Sequence, residues 1–351
     1  MKKRNKESTA SPAADLVRLA EIVEQFRSKK IILYGDFVAD EFQFGDISRV
    51  SREAPVLILK HRETRLVPGG GANATNNLMT LGANVLPVTV VGDDAVGKAL
   101  RDYFRKSGVD VSNIVTAKHW VTPTKVRFLA GWAHTTAQQV LRVDREPKEA
   151  PPEKVREQLL AKLSAKLASA DGLAVSDYGF GSATPDRVKK SLRGARREIP
   201  VTLDARHGLT RYAGCGITSA TPNEAELEAL HHTSIGKDGS ELERCGRGTL
   251  AVMKMESLLV TRGRDGMALF EKSGSRFTQI PVHGSDQAVD VTGAGDTVLA
   301  AYTLALASGA SALEAAHIAN IAGGLVVMKR GTATVSQAEL LDAIRRESSG
   351  S

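Results

Sequence analysis

The sequence has few cysteines, few aromatic residues and no long hydrophobic run. Two of its 351 residues are cysteines, Cys215 and Cys245, and 5% are Phe, Trp or Tyr. Two cysteines provide neither a disulfide framework nor the spacing of a metal site, so we expect a protein of the reducing cytoplasm. No run reaches the roughly 18 apolar residues that a membrane span needs. No apolar segment follows the basic start, so a secretory signal is not expected either.

The charge balance is mildly basic. Lys and Arg number 47 against 40 Asp and Glu, which gives a net charge of +7. Part of this excess lies in residues 1–14, a Ser/Ala-rich segment that we predict to be a disordered tail. Such a tail could touch nucleic acid or an anionic membrane, but a short basic start is more often a solvated end. We therefore expect no nucleic-acid or membrane partner, and the remaining excess suits an enzyme of anionic substrates.

Predicted helices and strands alternate along most of the chain. Helical spacing predicts helices at 15–27, 95–106, 153–169 and 185–197, and short apolar runs predict strands at 31–34, 85–91, 172–175, 201–203, 258–260 and 267–270. This alternation predicts an α/β fold, with a central, mostly parallel sheet covered by helices on both faces. We expect a single domain over residues 15–345 and a loose tail over 346–351. Ligands on such sheets collect at the carboxyl ends of the strands.

Two segments interrupt the alternation. Residues 41–66 and 119–146 are rich in Val, Ile, Thr and Phe and have little helical periodicity. They predict antiparallel strands that form a small sheet, a natural lid over a substrate pocket. Exposed edges of this lid favour a homodimer that pairs lid to lid.

Residues 289–297, with the sequence VDVTGAGDT, join a small-residue turn to a carboxylate just before a predicted buried helix. The free backbone N–H groups of Gly293, Ala294 and Gly295 at the helix start could hold a phosphate. Asp296 adds negative charge beside that anion. This makes sense if the carboxylate takes a proton from a hydroxyl that attacks the phosphate. The alternative is that Asp296 and Thr297 only cap the helix.

Two further groups of polar residues follow predicted strands on the amino-terminal side. Gly69, Gly70 and Gly71 open a helix and permit close backbone approach, and Asn73 could bind sugar hydroxyls. The alternative is a flexible hinge into the helix. The carboxylates of Asp36 and Asp40 could accept hydrogen bonds from the same sugar, or serve as ordinary loop and cap residues.

Asn223 and Glu226 lie one helical turn apart at a predicted helix start. They could orient metal-bound water near a nucleotide phosphate, although a helix capping box has almost the same sequence. Thr261, Arg262, Gly263 and Gly266 follow a predicted strand, where a nucleotide could lie. The sequence contains neither a P-loop, nor a dinucleotide-binding fingerprint, nor the GxSxG of hydrolases.

The order of these motifs resembles that of the ribokinase-like family of sugar kinases, over about residues 31–336. The resemblance implies a ribokinase-like fold, ATP as phosphoryl donor, Asp296 as catalytic base and Mg²⁺ positioned through water by Asn223 and Glu226. It also allows a monovalent cation at the loop of Asp290. The implied nucleotide contacts are Asn223, Glu224, Ala225, Glu226, Thr261, Arg262, Gly263, Gly266 and Asn320. The implied sugar contacts are Asp36, Asp40, Gly69, Gly70, Gly71, Asn73, Arg142 and Asp177.

A closer resemblance is to the kinases of D-glycero-β-D-manno-heptose 7-phosphate, which supply heptose for lipopolysaccharide or related glycans. It rests on residues 44–51, 53–55, 138–139, 141–144, 176–179, 319–320 and 331–336. It implies phosphorylation at C1 of that small-molecule sugar phosphate. Many members of the branch also carry a C-terminal nucleotidyltransferase, and because the sequence ends before such a domain we expect a kinase alone. Phe180 and Ala205-Arg206 depart from the lysine and Pro-Lys of this branch, so charge there would come from Arg206 or Lys125. The alternatives are a kinase of another sugar, phosphosugar or nucleoside, and a non-catalytic sensor.

Overall fold

The computed structural model describes residues 15–131, 137–194, 197–236, 239–274, 276–284 and 287–349. The basic tail predicted at 1–14 lies outside the described residues, and so do residues 132–136 inside the second lid segment. At the other end, the last helix continues through Ser349. The prediction of a loose tail from residue 346 is therefore wrong for residues 346–349.

Ten helices and thirteen strands alternate in the described parts of the chain. The helices are α1 (Leu16–Glu24), α2 (Gly71–Thr80), α3 (Ala95–Lys106), α4 (Glu153–Leu167), α5 (Pro185–Arg193), α6 (Glu224–His231), α7 (Ser240–Met253), α8 (Ala294–Ala307), α9 (Ala312–Val327) and α10 (Gln337–Ser349). The strands are β1 (Lys30–Gly35), β2 (Phe37–Val50), β3 (Leu57–Gly70), β4 (Asn84–Gly92), β5 (Ile114–Ala117), β6 (Thr124–Gly131), β7 (Gln138–Arg145), β8 (Gly172–Asp177), β9 (Val201–Ala205), β10 (Ser219–Ala220), β11 (Ser257–Thr261), β12 (Met267–Glu271) and β13 (Thr278–Ile280).

The main sheet has the order β13-β12-β11-β10-β9-β8-β1-β4-β5. Neighbouring strands from β5 to β11 are parallel, whereas β12 and β13 join the edge in antiparallel pairs. This confirms the predicted mostly parallel α/β sheet. Because the strands are parallel, the carboxyl ends of β1, β8, β9 and β11 lie at one edge of the sheet, where α2, α6 and α8 begin.

Helices cover both faces of this sheet, because alternate residues of each strand point to opposite sides. In β1, Ile31 and Leu33 belong to one buried cluster, together with apolar residues of α1, α2, α3, α8, α9 and α10. Ile32 and Tyr34 belong to the other cluster, with α4, α5, α6 and α7. Each large apolar side chain buried in this way contributes about 1.5–3 kcal/mol. The two clusters hold the strand ends rigidly in place beneath the site.

The lid is a second sheet, in the order β3-β2-β6-β7. The pairs β2–β3 and β6–β7 are antiparallel hairpins, as predicted, but β2 and β6 are parallel. The strands are therefore antiparallel within each hairpin and parallel where the two hairpins meet. Both hairpins leave the main sheet from the carboxyl ends of its strands and run outward in the same sense, so the strands that meet between them are parallel.

The lid is joined to the main sheet through a tight crossing. The chain passes from β1 through Asp36 into β2, returns along β3 and enters α2, where the Gly71 N–H donates to the Asp36 carbonyl. A Cβ on Gly35 would lie 2.0 Å from the carbonyl oxygen of Ser176. Glycine is therefore required where the root of the lid meets β8. No helix in the described ranges is long and apolar enough to cross a membrane.

Helix α7 packs closely on β12, and two of its glycines differ sharply in the space around them. A Cβ on Gly246 would lie 2.2 Å from the buried ring of Phe270, whereas a Cβ on Gly248 would meet only His231, at 3.5 Å. Gly246→Ala should lower the free energy of unfolding by about 1–3 kcal/mol through overpacking. Gly248→Ala should raise it by about 0.5–1 kcal/mol, because alanine favours the helix. Urea unfolding of both variants checks this pair, and equal effects would contradict the packing described here.

Candidate active site

Asp296 lies in the first turn of α8 and is 5% exposed. One carboxylate oxygen accepts a hydrogen bond from Asn73 Nδ2 at 2.9 Å, and the other accepts one from the Tyr178 hydroxyl at 3.0 Å. The residue that caps α8 is Gly293, and it makes no side-chain capping bond. The carboxylate is thus held by α2 and by the loop after β8, and it does not act as a helix cap.

A hydrogen-bond network fixes α2 against α8 behind this carboxylate. Asn77 donates to the backbone carbonyl of Asn73 and to its amide oxygen, at 3.0 Å and 3.3 Å. The Thr297 hydroxyl donates to Asn77 Oδ1 at 2.9 Å. Asn73, Asn77 and Thr297 are fully buried, and buried polar groups in such networks restrict one another to a single arrangement. The network therefore sets the orientation of the amide that binds Asp296.

Burial raises the pKa of Asp296 to about 7, while the hydrogen bonds from Asn73 and Tyr178 act in the opposite direction. A carboxylate with this pKa is ionised for much of the time at neutral pH and still accepts a proton readily. General bases are most effective when their pKa lies near the working pH. The raised pKa of Asp296 is thus suited to proton transfer, and a purely structural role would not require it.

The start of α8 presents free backbone donors beside Asp296. In the described part of the chain, the N–H groups of Gly293 and Gly295 have no acceptor, whereas the Ala294 N–H donates to the Val291 carbonyl at 3.2 Å. The Ala294 N–H is therefore engaged within the turn, and its role in binding an anion stays a prediction. Gly293 has a φ of +80° and lies against Asn73, so its backbone conformation favours glycine.

The loop after β8 is anchored by Asp36. Its carboxylate accepts backbone N–H groups from Tyr178, Phe180 and Ser182, at 3.0, 2.9 and 2.8 Å. Burial raises the pKa of Asp36 to about 6. Asp36 thus positions the tyrosine that binds Asp296, and both of its oxygens already have partners.

A cavity of about 820 Å³ opens beside Tyr178 and Gly293, and it is lined by the ends of β9 and α6. The predicted nucleotide residues Asn223, Ala225 and Glu226 lie in its wall. Asn223 and Glu226 also form a capping box, in which each side chain accepts the backbone N–H of the other. The capping alternative is therefore observed, and both side chains still border the cavity.

Asp204 lines the same cavity at the end of β9. Burial, and then the neighbouring carboxylate of Glu226, raise the pKa of Asp204 well above its usual range. Burial likewise raises the pKa of Glu226. A buried carboxylate whose proton affinity is raised by a second carboxylate in this way marks a site that a cation would stabilise. No group of three His, Cys, Asp or Glu side chains within the described ranges is arranged as a complete metal site.

A smaller cavity of about 190 Å³ continues along the other side of the α8 start. Of the predicted nucleotide contacts, it brings together Thr261, Gly263, Gly266 and Asn320. The Asn320 side chain donates to the Pro281 carbonyl at 2.8 Å. Val291 lines both cavities, so the two spaces meet at the turn before α8.

The remaining predicted nucleotide contacts, Arg262 and Glu224, bind each other. Arg262 Nε lies 2.5 Å from Glu224 Oε2, and the arginine side chain is 11% exposed. Neither residue lines the smaller cavity. Their ion pair joins the loop after β11 to the start of α6 and thereby holds the two nucleotide-side loops together.

The predicted sugar contacts on the lid side are already paired. Asp40 forms a buried ion pair with Arg127 at 3.0 Å, and a Cβ on Gly69 would lie 2.5 Å from the Asp40 carboxylate. Gly70 has a φ of +51° and faces the Tyr178 ring. Arg142 binds Asp144 through two bonds, at 2.9 and 3.0 Å.

Asp177 is the last residue of β8, and Asp296 lies in the first turn of α8. Both residues are at the same edge of the main sheet, but Asp177 lies apart from Asp296. It accepts hydrogen bonds from the Tyr212 hydroxyl at 2.7 Å and from the Gly179 N–H at 2.8 Å. These two bonds occupy both of its oxygens and give it a role in shaping the loop that carries Tyr178.

Several residues of the site were not singled out from the sequence. The foremost are Tyr178, Asn77, Arg127 and Asp204. Tyr178 follows a predicted strand beside Asp177, and that position is the one available signal. Asn77 lies one turn after Asn73 on the same face of α2, but helical spacing alone does not separate a bonding amide from an ordinary buried one.

Comparison with known proteins agrees with this geometry. Residues 29–339 match the model of the pfkB family carbohydrate kinases. The bifunctional protein HldE of Trichlorobacter lovleyi is 35% identical over 335 residues, which cover 95% of this chain and 66% of that protein. The bifunctional protein HldE of Paramagnetospirillum magneticum is 37% identical over 336 residues, which cover 95% and 67%. The chain thus spans about two thirds of the length of these relatives.

Solved structures share the fold at lower identity. Phosphofructokinase-2 from Escherichia coli, in complex with substrates and products, superposes with a TM-score of 0.74 at 19% identity, over 91% of this chain and 99% of that one. Ribokinase from Arabidopsis thaliana, complexed with ribose and ATP, gives a TM-score of 0.69 at 19% identity, over 90% and 99%. The ribokinase-like fold is thus confirmed. With most of its length matched by the family model, the chain belongs to the pfkB family of carbohydrate kinases, phosphotransferases that act on a sugar hydroxyl.

Proposed function

We propose that the protein transfers the γ-phosphoryl group of ATP to the C1 hydroxyl of D-glycero-β-D-manno-heptose 7-phosphate. The observation that carries the phosphotransfer is the position of Asp296, a buried carboxylate of raised pKa beside free N–H groups at a helix start. The similarity to two HldE proteins over 95% of the chain supports the choice of sugar.

In this proposal Asp296 accepts the proton of the attacking hydroxyl. Asn73 and Tyr178 hold the carboxylate in place, so that little reorganisation is needed when the proton moves. The N–H groups of Gly293 and Gly295 lie where negative charge builds up on the transferring phosphoryl group. Closure of the lid excludes water, which would otherwise accept the phosphoryl group.

The carboxylates of Asp204 and Glu226 fit a magnesium ion. Mg²⁺ is usually bound through one or two protein carboxylates, water and substrate phosphates. Burial and the neighbouring Glu226 raise the pKa of Asp204 at the wall of the larger cavity, and Asn223 would orient a bound water beside them. When bound, the ion would neutralise charge on the phosphates of ATP. A monovalent cation beside Asp290 stays a prediction of the family resemblance.

The nucleotide would extend from the larger cavity into the smaller one. The two spaces lie on either side of the α8 start, and they meet at Val291, which borders both. Phosphates in the larger cavity would lie near Gly293, and the rest of ATP would lie against Gly263, Gly266 and Asn320.

We also propose a homodimer that forms through the lid. Every residue of the edge strand β7 is exposed, including Val140 at 44%, Leu141 at 55% and Val143 at 43%. An apolar edge strand of this kind favours pairing with a second copy. On this basis Leu141→Glu should convert dimer to monomer in analytical ultracentrifugation. Val252→Glu, which replaces an equally exposed residue of α7, should leave the dimer intact, and a wild-type monomer would rule the proposal out.

The substrate proposal predicts a clear order of acceptors. With ATP, the specificity constant should be highest for heptose 7-phosphate and lower for fructose phosphates, ribose and adenosine. ATP consumption measured across this panel tests the prediction. A higher specificity constant for one of the other acceptors would retain the kinase and reject the heptose assignment, and no turnover with any acceptor would favour a non-catalytic sensor.

The same assay, applied to Asp296→Asn, tests whether Asp296 is the base. The variant should fold and bind ATP, yet lose about 10²-fold or more in turnover. Asp342→Asn changes an exposed aspartate of α10 and should leave turnover unchanged. Retained turnover in Asp296→Asn would remove the proton-acceptor role.

The pKa of Asp296 also predicts a pH profile. Because the base acts in its ionised form and its pKa is about 7, turnover should rise with pH through about pH 7 and then level off. The Tyr178 hydroxyl lowers this pKa, so Tyr178→Phe should move the rising limb to higher pH. Tyr103→Phe, which removes a hydroxyl that binds Asn76 on the far side of α2, should leave the limb in place. An unshifted limb in Tyr178→Phe would show that another group controls the profile.

A further inference from the structure

One face of the lid concentrates charged side chains next to the larger cavity. In the register of the lid strands, Lys125 lies opposite Asp40 of β2 and opposite Asp144 of β7, and Arg127 lies opposite Arg142. Residues opposite each other on neighbouring strands, or two apart on one strand, share a face of the sheet. Three cations and two carboxylates therefore lie together on this face.

Two of these cations are neutralised within the lid. Arg127 lies 3.0 Å from Asp40, and the two side chains are 15% and 6% exposed. Arg142 holds Asp144 through two bonds. Both carboxylates of the face are thereby bound to an arginine, and Lys125 lies near Asp40 without an ion pair to it.

Lys125 and Arg206 are two further cations beside the site, and neither is held in an ion pair among the described residues. Neither has a carboxylate within ion-pair distance in the described part of the chain. Burial and then the charge of Arg206 lower the pKa of Lys125, while the carboxylate of Asp40 raises it. Two like charges held close together in a partly buried site are unfavourable unless an anion joins them.

The space between these cations adjoins Asp296 through Tyr178. Lys125 Nζ lies 5.3 Å from the centre of the Tyr178 ring, and the hydroxyl of that ring binds Asp296. Arg206 lines the larger cavity together with Tyr178 and Gly293. An anion held by Lys125 and Arg206 would thus lie on one side of Tyr178, with the proton acceptor on the other.

We propose that Lys125 and Arg206 bind a phosphate monoester carried by the sugar, distinct from the phosphoryl group that is transferred. A phosphate dianion matches two cations in charge, and the guanidinium fork binds its oxygens in pairs. The site selects phosphorylated sugars over neutral ones. Because Lys125 belongs to lid strand β6 and Arg206 to the loop after β9, the sugar phosphate also draws the lid onto the main sheet. This inference rests on the proposed sugar-kinase function.

The test compares acceptors that differ only in the phosphate. For Lys125→Met and for Arg206→Met, the specificity constant for the phosphorylated sugar should fall about 10- to 100-fold, mainly through KM, because a charge-assisted hydrogen bond is lost. The KM for ATP and the specificity constant for the matching neutral sugar should change less than about threefold. Arg206→Lys should recover part of the loss. Arg62→Met, which removes an exposed arginine elsewhere on the lid, is the matched control.

Two results would contradict the binding of the sugar phosphate by Lys125 and Arg206. Equal losses for phosphorylated and neutral sugars would show a general structural effect, and a rise confined to the KM for ATP would place the cations on the nucleotide. If the wild-type protein phosphorylates no acceptor, the proposed function fails separately. Calorimetry of heptose 7-phosphate binding to the full chain, with a non-hydrolysable ATP analogue bound, then decides the site. Weaker binding in Lys125→Met and Arg206→Met supports it, and unchanged binding rejects it.

Discussion

The carboxylate of Asp296 depends on two hydrogen bonds from parts of the chain that are far apart in sequence. Asn73 comes from α2, which follows the first lid hairpin, and Tyr178 comes from the loop after β8. Desolvation is the largest influence on its pKa and raises it, whereas the hydrogen bonds from the two donors lower it. Much of the surrounding structure serves to hold these two donors.

The main sheet supplies the rigid support for them. Parallel strands bring Tyr178, Asp204 and the start of α6 to one edge, and α8 meets that edge with its free N–H groups. The helix start offers partial positive charge to an anion, and Asp296 in its first turn faces the same space. The carboxylate of Asp296 and the N–H groups that would bind phosphate therefore lie side by side in the first turn of α8.

The sequence contained enough information for the fold and for the centre of the site. Apolar runs separated by helical periods predicted β1, β4, β8 and β9, because buried parallel strands have a simple pattern. The glycines before Asp296 and those before Asn73 were visible as helix starts. The short strands β5 and β13 carry too few residues to show periodicity, and they follow from their pairing with neighbours. The parallel contact between β2 and β6 is likewise a tertiary feature that no local pattern encodes.

The partners of individual side chains were harder to predict. A carboxylate after a strand, such as Asp36 or Asp177, has the same local sequence whether it binds substrate or backbone N–H groups. The structure shows three backbone N–H partners for Asp36, and one backbone N–H and the Tyr212 hydroxyl as partners for Asp177. Asn223 and Glu226 combine the two possibilities, since they cap α6 and still face the cavity. Such distinctions depend on which loops meet in space, and that information lies in the packing of distant elements.

The position of Asp36 has a mechanical consequence. It stands at the root of the lid, and its side chain carries the backbone of the loop that presents Tyr178. A displacement of the lid at its root would therefore also move the tyrosine, because the Asp36 carboxylate joins the root to the loop that presents Tyr178.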